Sequence, residues 1–248
     1  MPEQSPDKKR TVVVFSGAGL SAESGIPTFR DSNGLWETHR VEEVASPGGW
    51  RRDPALVLRF YDLRFRGVQA AQPNAAHRSI ARLQARFSVL NITQNIDDLL
   101  ERAGCENVVH LHGLITRRKC EFHHDIFSDG RFTCDFKAPQ DVPVRIGDLC
   151  PKCGGQLRPD VVWFGEAVNF DFDQLSVLVD EVDHHDGVFI CIGTSAQVAP
   201  ASYLIPIFSE VQNKYIIDVK TRPTGDYTLL EGPATAMMQK LADELLDE

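Results

Sequence analysis

Five short runs of β-branched and aromatic residues, separated by segments long enough for helices, constrain this chain's fold more than any other feature. The first, Thr11-Val12-Val13-Val14-Phe15, ends in glycines. Phe87 to Ile92 follows a helical pattern from Ala75 to Ala85. Val108 to His112, Val188 to Ile192 and Tyr215 to Ile217 are the others, and a last helical pattern covers Ala234 to Leu246. Runs without polar alternation are buried on both faces, as strands of a parallel sheet are. Their alternation with helices predicts an α/β fold, an open doubly wound parallel sheet.

Residues 116 to 158 depart from this pattern, being rich in Cys, His, Asp, Gly and Pro without periodicity. A chain of 248 residues has room for one main core and a small inserted module, and this stretch is expected to be held by something other than a hydrophobic core. Cys150-Pro151-Lys152-Cys153-Gly154-Gly155 has the spacing of a zinc knuckle, whose glycines let the backbone turn about a metal. A redox Cys-x-x-Cys is the alternative, and the Pro and Gly placement favours the knuckle. Six cysteines in a chain of this length do not suggest a disulfide scaffold.

The net charge of −9, with only the short basic runs Arg51-Arg52 and Arg117-Arg118-Lys119, argues against direct nucleic-acid binding. The apolar runs are strand-sized, well short of the roughly 18 residues of a membrane span. The N-terminal MPEQSPDKKR lacks an apolar stretch. The expectation is a cytoplasmic protein without membrane contact, and a monomer.

Four sites stand at predicted strand ends or helix faces. Gly17-Ala18-Gly19 follows the first run, and a helix starting at Ser21 would aim its N–H groups at an anion. Thr93-Gln94-Asn95-Ile96-Asp97-Asp98-Leu99 follows the second, where open α/β sheets place ligands. His110-Leu111-His112-Gly113 follows the third, and an imidazole that is neutral near pH 7 suits general-base work. In the segment around Arg59 to Arg64, Leu56, Phe60 and Leu63 are expected to face inward, with Tyr61 and Arg64 sharing a neighbouring face.

Together these stretches resemble the sirtuin family. GAGLSAESGIPTFR is similar to the signature GAGxSxxSGIPxFR, TQNIDDL to TQNIDxL, HG at 112–113 to the catalytic motif, GTS at 193–195 with Val198, Pro200 and Ala201 to GTSxxVxPA, and VVWFGE at 161–166 to the substrate segment. The similarity runs from about Val12 to Pro233. It implies one catalytic domain over 1–248. A Rossmann-like large part would span about 10–37, 70–115 and 159–248, with a small part formed by insertions at about 38–69 and 116–158.

The resemblance further implies an NAD-dependent protein-lysine deacylase whose partners are acylated-lysine proteins or peptides. Gly17, Ala18, Gly19 and Ser21 would line the cofactor's phosphates, with Phe29, Arg30 and Trp36 over the nicotinamide side. Gln94, Asn95, Ile96 and Asp97 would hold nicotinamide and its ribose, and Gly193, Thr194, Ser195, Asp218 and Ala234 the adenosine half. In such enzymes the acyl oxygen displaces nicotinamide, and a histidine deprotonates a ribose hydroxyl for the next attack. His112, preceding the glycine, matches that base, and His110 is the competing candidate. Val162, Phe164, Gly165 and Glu166 would pair with the substrate peptide as an added strand. His77 is read as structural.

Tyr61 and Arg64 resemble the Tyr-x-x-Arg pair of class III sirtuins, the group of the bacterial CobB-type enzymes, which bind the distal carboxylate of malonyl and succinyl groups. Ala45 matches the small residue that makes room for the longer chain, and Ala22-Glu23 is the class III spelling. One structural zinc is implied, with Cys120, Cys150 and Cys153 as ligands. Cys134 is favoured as the fourth over His123 or His124, and a damaged site is the remaining alternative. Leu100 stands where the family has histidine and Asp218 where it has asparagine, the latter pointing to an altered cofactor affinity. A plain deacetylase, or an NAD-binding regulatory module without turnover, are the alternative readings.

Overall fold

The computed structural model describes residues 9–28, 35–36, 39–123, 133–168, 178–180, 182, 186–194, 205–220 and 225–247. Strands and helices in chain order are β1 Thr11–Ser16, α1 Gly19–Ala22, β2 Leu35–Trp36, β3 His39–Arg40, α2 Val41–Val44, α3 Pro47–Arg52, α4 Pro54–Ala70 and α5 Ala75–Leu83. β4 Ser88–Thr93, α6 Leu99–Arg102, β5 Val108–His110, β6 Gly113–Cys120, β7 Lys137–Pro139 and β8 Leu157–Val161 follow. β9 Val188–Ile192, β10 Asn213–Asp218, β11 Thr228–Glu231 and the C-terminal helix Ala234–Asp247 end the list.

β1, β4, β5, β9, β10 and β11 form one parallel sheet in the order β11-β10-β9-β1-β4-β5. β1 and β9 are buried at every residue, which is why their sequences carry no polar alternation. Helices cover both faces. On one, Ala76, Ile80 and Leu83 of α5 and Met238, Leu241 and Leu245 of the C-terminal helix pack against Val12, Val14 and Ile190. On the other, Val13, Phe15 and Phe189 meet Phe208 and Tyr227, with the Phe189 and Phe208 rings stacked at 4.2 Å. This is the doubly wound, Rossmann-like α/β architecture. The run 108–112 divides at Leu111: β5 ends at His110, and the chain enters a second sheet at Gly113.

That second sheet is antiparallel, ordered β7-β6-β8, and it corrects one expectation. Ile115, Cys120, Cys134, Val144, Cys150 and Leu157 share a core with Val57, Phe60, Tyr61 and Phe65 of α4 and with Val41, Val44 and Trp50. The inserted module is therefore held partly by apolar packing against the helical insertion. Its short, bulged strands hid the periodicity from the sequence.

α4 starts on a side-chain cap, Asp53 accepting from the Leu56 N–H, with Pro54 at the first turn. Phe60 is buried and Leu56 packs partly against the same core, as expected, but the inward face extends the other way round the helix and leaves Leu63 outside. Val57, Tyr61, Phe65 and Val68 are buried, whereas Leu63 is 64% exposed. The spacing of four, four and three selects the stripe on which Tyr61 lies, and Leu63 falls about 200° round from Tyr61.

Candidate active site

The strand order reverses between β1 and β9, and in open α/β sheets the crevice at the carboxyl ends of such strands is where ligands bind. Here the two chains touch. The Gly17 N–H donates to the Ile192 carbonyl (3.0 Å) and the Gly19 N–H to the Gly193 carbonyl (2.8 Å). A Cβ on Gly19 would lie 2.6 Å from Gly193 Cα, and one on Gly17 2.7 Å from Thr194 Cβ. The glycines thus serve first to let two strand ends meet. The contact also turns the chain early. α1 begins at Gly19 rather than Ser21 and lasts one turn, with the Leu20 and Ser21 N–H groups donating to Gly17 and Ala18. Those N–H groups are used within the protein, which corrects the expected anion-facing helix end.

Ser21 instead does its work through its side chain. Its buried hydroxyl donates to Asp97 Oδ2 (3.0 Å) and accepts from Asn95 Nδ2 (3.1 Å). It also lies 3.4 Å from His77 Nε2. His77 Nδ1 accepts from the Asn74 N–H (3.2 Å), so by assignment Nε2 carries the proton and points it at Ser21. Burial, with a smaller effect from Arg78, holds His77 down at about 4, keeping it neutral. The role of Ser21 as the hub of this network was not legible in the sequence. The one available signal was a small hydroxyl residue two positions after the second glycine.

Asp97 is buried, and burial raises its carboxyl above the ordinary range, opposed by the Leu99 N–H and the Ser21 hydroxyl. Asn95 is fixed at its N–H by Thr93 Oγ1 (3.1 Å). Gln94 bridges to the β9 end, its side-chain oxygen accepting from Thr194 Oγ1 (3.0 Å). Ile96 packs against the small-sheet core, and its carbonyl accepts from the Ile115 N–H (2.8 Å).

The two histidines at and just after the end of β5 hold neighbouring carbonyls of this turn. His112 Nδ1 lies 2.9 Å from the Gln94 carbonyl and His110 Nδ1 2.9 Å from the Asn95 carbonyl. A carbonyl only accepts, so His112 Nδ1 carries the hydrogen and, in the neutral ring, Nε2 is the acceptor. Burial lowers His112, against the Gln94 bond that raises it, so the ring is neutral at pH 7. Gly113 sits at φ +79°, and a Cβ there would run into the Asp160 carbonyl.

The structure brings Cys120, Cys134, Cys150 and Cys153 together, with their four sulfurs all within 4.8 Å of one another. The Cys120–Cys153 and Cys134–Cys150 pairs lie 3.4 and 3.7 Å apart. A tetrahedral thiolate site with zinc–sulfur bonds of about 2.3 Å has edges of about 3.8 Å, so these four fit one zinc. Cys134 reaches the group through a bridge between His123 and Cys134, and His123 is not a member of it. His124 lies outside the described residues. Cys105 and Cys191 are buried in the main core.

Residues 17–200 match the Sir2 family. The chain belongs to that family. It is 40% identical over 242 residues to an NAD-dependent protein deacylase of Thermococcus sibiricus, covering 94% of this chain and 90% of that protein. The corresponding figures for a Bacteroides thetaiotaomicron enzyme of the same name are 43% over 211 residues, 85% and 86%. A Sir2 homologue solved with NAD superposes with a TM-score of 0.79 at 38% identity, covering 96% of this chain and 90% of that one.

In this Sir2-family chain the acyl-specificity candidates lie on α4. Tyr61 is 1% exposed. Its hydroxyl, Trp163 Nε1 and Arg158 Nε are all buried without a hydrogen-bond partner among the described residues. Burial keeps the Tyr61 phenol protonated, against the opposing pull of Arg64. The Arg64 guanidinium stacks 3.3 Å over the Phe60 ring and donates to the Phe60 carbonyl (3.1 Å). Ala45 is buried, and its carbonyl accepts from the Phe164 N–H (3.0 Å), joining the two elements.

In the 161–166 segment, the Val162 N–H donates to the His112 carbonyl (2.8 Å) and the Trp163 N–H to Glu166 Oε2 (3.0 Å). The Glu166 carboxylate is buried against Arg158 at 2.5 Å, so its side chain is structural. Phe164 is half exposed, and Gly165 has φ +91°. Of the residues expected at the adenosine half, Asp218 ends β10 with Oδ1 accepting from the Lys220 N–H (3.2 Å), and Ala234 opens the C-terminal helix. Glu23 caps that helix by accepting from Thr235 N–H and Oγ1 (3.0 and 2.7 Å). Phe29, Arg30 and Ser195 lie outside the described residues, as do Val198, Pro200 and Ala201. Trp36 is described in its backbone alone, in β2.

Proposed function

We propose that this protein is an NAD-dependent protein-lysine deacylase that removes succinyl and malonyl groups, and acetyl groups as well, consuming NAD and one water and giving nicotinamide, O-acyl-ADP-ribose and free lysine. The observation that carries the reading is the state of His112, a neutral imidazole with Nε2 as its acceptor, standing beside the Ser21–Asn95–Asp97 network at the sheet's switch point. The relatives' shared name, NAD-dependent protein deacylase, supports it.

NAD supplies the ribose to which the acyl group is transferred. The residues do the rest. Gly17 and Gly19, bare of side chains, let a dinucleotide phosphate approach the β1–β9 seam. Asn95 and Asp97 orient the nicotinamide end, and His112 Nε2 takes the proton of a hydroxyl. Gly165 and the carbonyls of 162–166 pair with the substrate backbone, which leaves recognition of the flanking sequence loose. The cysteine cluster holds one zinc. Four protein ligands leave no open position, so that zinc is structural. The helical insertion 38–69 and the module 116–158 form the small part of a single catalytic domain.

The preference for acidic acyl groups rests on Tyr61 and Arg64. A buried phenol that must donate, beside a guanidinium one turn away, suits a carboxylate and leaves an acetyl methyl unrewarded. A charge-assisted hydrogen bond contributes about 1.5–3 kcal/mol, so two favour succinyl by about 10²-fold or more. The test is mass-spectrometric deacylation of one peptide in acetylated and succinylated forms, with and without NAD, alongside Arg64→Met. NAD-dependent removal with succinyl preferred, and that preference abolished in Arg64→Met, supports the reading. Equal or faster removal of acetyl by the unaltered protein makes it a plain deacetylase.

A further inference from the structure

His110 lies beside the proposed base and holds the same turn after β4, one carbonyl further on. Its Nδ1 is 2.9 Å from the Asn95 carbonyl and its Nε2 is 2.7 Å from Glu101 Oε1 on α6. Both partners only accept. A neutral imidazole has a single N–H and satisfies one of them, whereas an imidazolium satisfies both. The ring side chain is 11% exposed, so water does not readily replace the missing bond. His112, two residues on, has one acceptor partner and takes the neutral form. The strand end thus carries two histidines with different hydrogen-bond demands, two acceptors for His110 and one for His112, on consecutive carbonyls of one turn.

We infer that His110 is a positioning residue that works as an imidazolium, clamped between Glu101 and the Asn95 carbonyl to hold the Asn95–Asp97 turn and to keep Asp97 ionised. This rests on the proposed deacylase reading. Asn95 and Asp97 both converge on Ser21, so a shift of the Asn95 carbonyl moves the whole network. The charged groups facing the ring are Glu101 on α6 and Asp97 on the turn. Burial works against the charge on His110, and the Glu101 hydrogen bond and charge, then Asn95 and Asp97, overcome it, raising His110 above the ordinary histidine value. In return the His110 charge draws Asp97 downward against its burial. The charge on Asp97 thus depends in part on a second histidine that touches no substrate.

The sign follows from the raised value. The clamp is complete below the folded-state value of His110 and is lost as the pH rises through it, so the loss falls on the alkaline limb. His110 and His112 therefore bound the activity from opposite sides, the one needed charged and the other neutral.

The experiment follows the histidine ring resonances of the full-length protein by NMR against pH, with steady-state kinetics run in parallel. His110→Gln identifies the His110 signal by its loss, and Glu101→Gln keeps an acceptor while removing the charge. In the unaltered protein His110 is expected to titrate above the ordinary histidine value. Glu101→Gln should lower its titration by about one pH unit or more, a tenfold loss of proton affinity. It should shift the alkaline limb of kcat/KM for NAD downward by the same interval while leaving KM for the peptide unchanged. A His110 signal already neutral at about pH 6 overturns the inference. A Glu101→Gln effect of constant size at every pH also overturns it, because that is the mark of a structural role. If the unaltered protein proves inactive, the deacylase reading fails, and the titration still decides the state of His110.

Discussion

Replacing Ser21 with alanine isolates the network on which the site depends. Three interactions end on that hydroxyl: a bond to the Asp97 carboxylate at 3.0 Å, one from Asn95 Nδ2 at 3.1 Å and a longer approach from His77 at 3.4 Å. A hydrogen bond to a charged group contributes about 1.5–3 kcal/mol and a neutral one about 0.5–1.5 kcal/mol. Their loss amounts to about 2–4 kcal/mol, shared between stability and the placement of Asn95 and Asp97. The expected fall in kcat/KM is about 10²-fold, each 1.4 kcal/mol being tenfold. The pH profile carries a second signature. Burial already raises Asp97 above the unfolded carboxyl value, with the Ser21 hydroxyl opposing it. The stability gained from the protonated form is present below the unfolded value and is lost as pH rises through the folded one. Removing the donor raises Asp97 further, so the acid limb of kcat/KM moves to higher pH. Steady-state deacylation with NAD varied, from acid to alkaline pH, measures both effects. Activity within about twofold of the unaltered protein, with the acid limb unmoved, refutes the reasoning.

Four further outcomes follow from the geometry. His112→Ala should abolish turnover while NAD still binds by calorimetry. In the unaltered enzyme, activity should fall only below the ordinary histidine value, because burial lowers His112. Zinc measured by mass spectrometry should be about one per chain, lost in Cys134→Ser and retained in His123→Ala. Glu166→Gln leaves the buried Arg158 charge at 2.5 Å without its partner, a cost of about 3–5 kcal/mol. At about 2–4 °C per kcal/mol for a chain of this size, melting should fall by about 10 °C in thermal denaturation.

The parallel sheet was legible because strands buried on both faces must be apolar throughout. The runs at β1, β4, β9 and β10 match observed strands to within two residues at either end. β6, β7 and β8 escaped notice, since an antiparallel sheet carrying Arg117, Lys119, Arg158 and Asp160 has no apolar run to reveal it. Leu63 was misplaced because two helical stripes fitted α4, and only the packing against β6 and β8 chose between them. The site's motifs could be read residue by residue, but their hydrogen bonds could not. Ser21 lies 76 residues from Asp97 and 56 from His77, and Glu23 caps a helix 212 residues away. Local sequence carries no trace of such pairings. The glycine loop shows the same limit: its spacing suggested a phosphate, whereas the contact with Gly193 requires the glycines before any ligand binds.

The most direct measurement is product stoichiometry in a single reaction of purified protein, NAD and a succinylated lysine peptide. Nicotinamide, O-succinyl-ADP-ribose and free-lysine peptide are expected in equal amounts, and none of the last two from His112→Ala. Free lysine formed without NAD, or formed equally well by His112→Ala, would contradict the account.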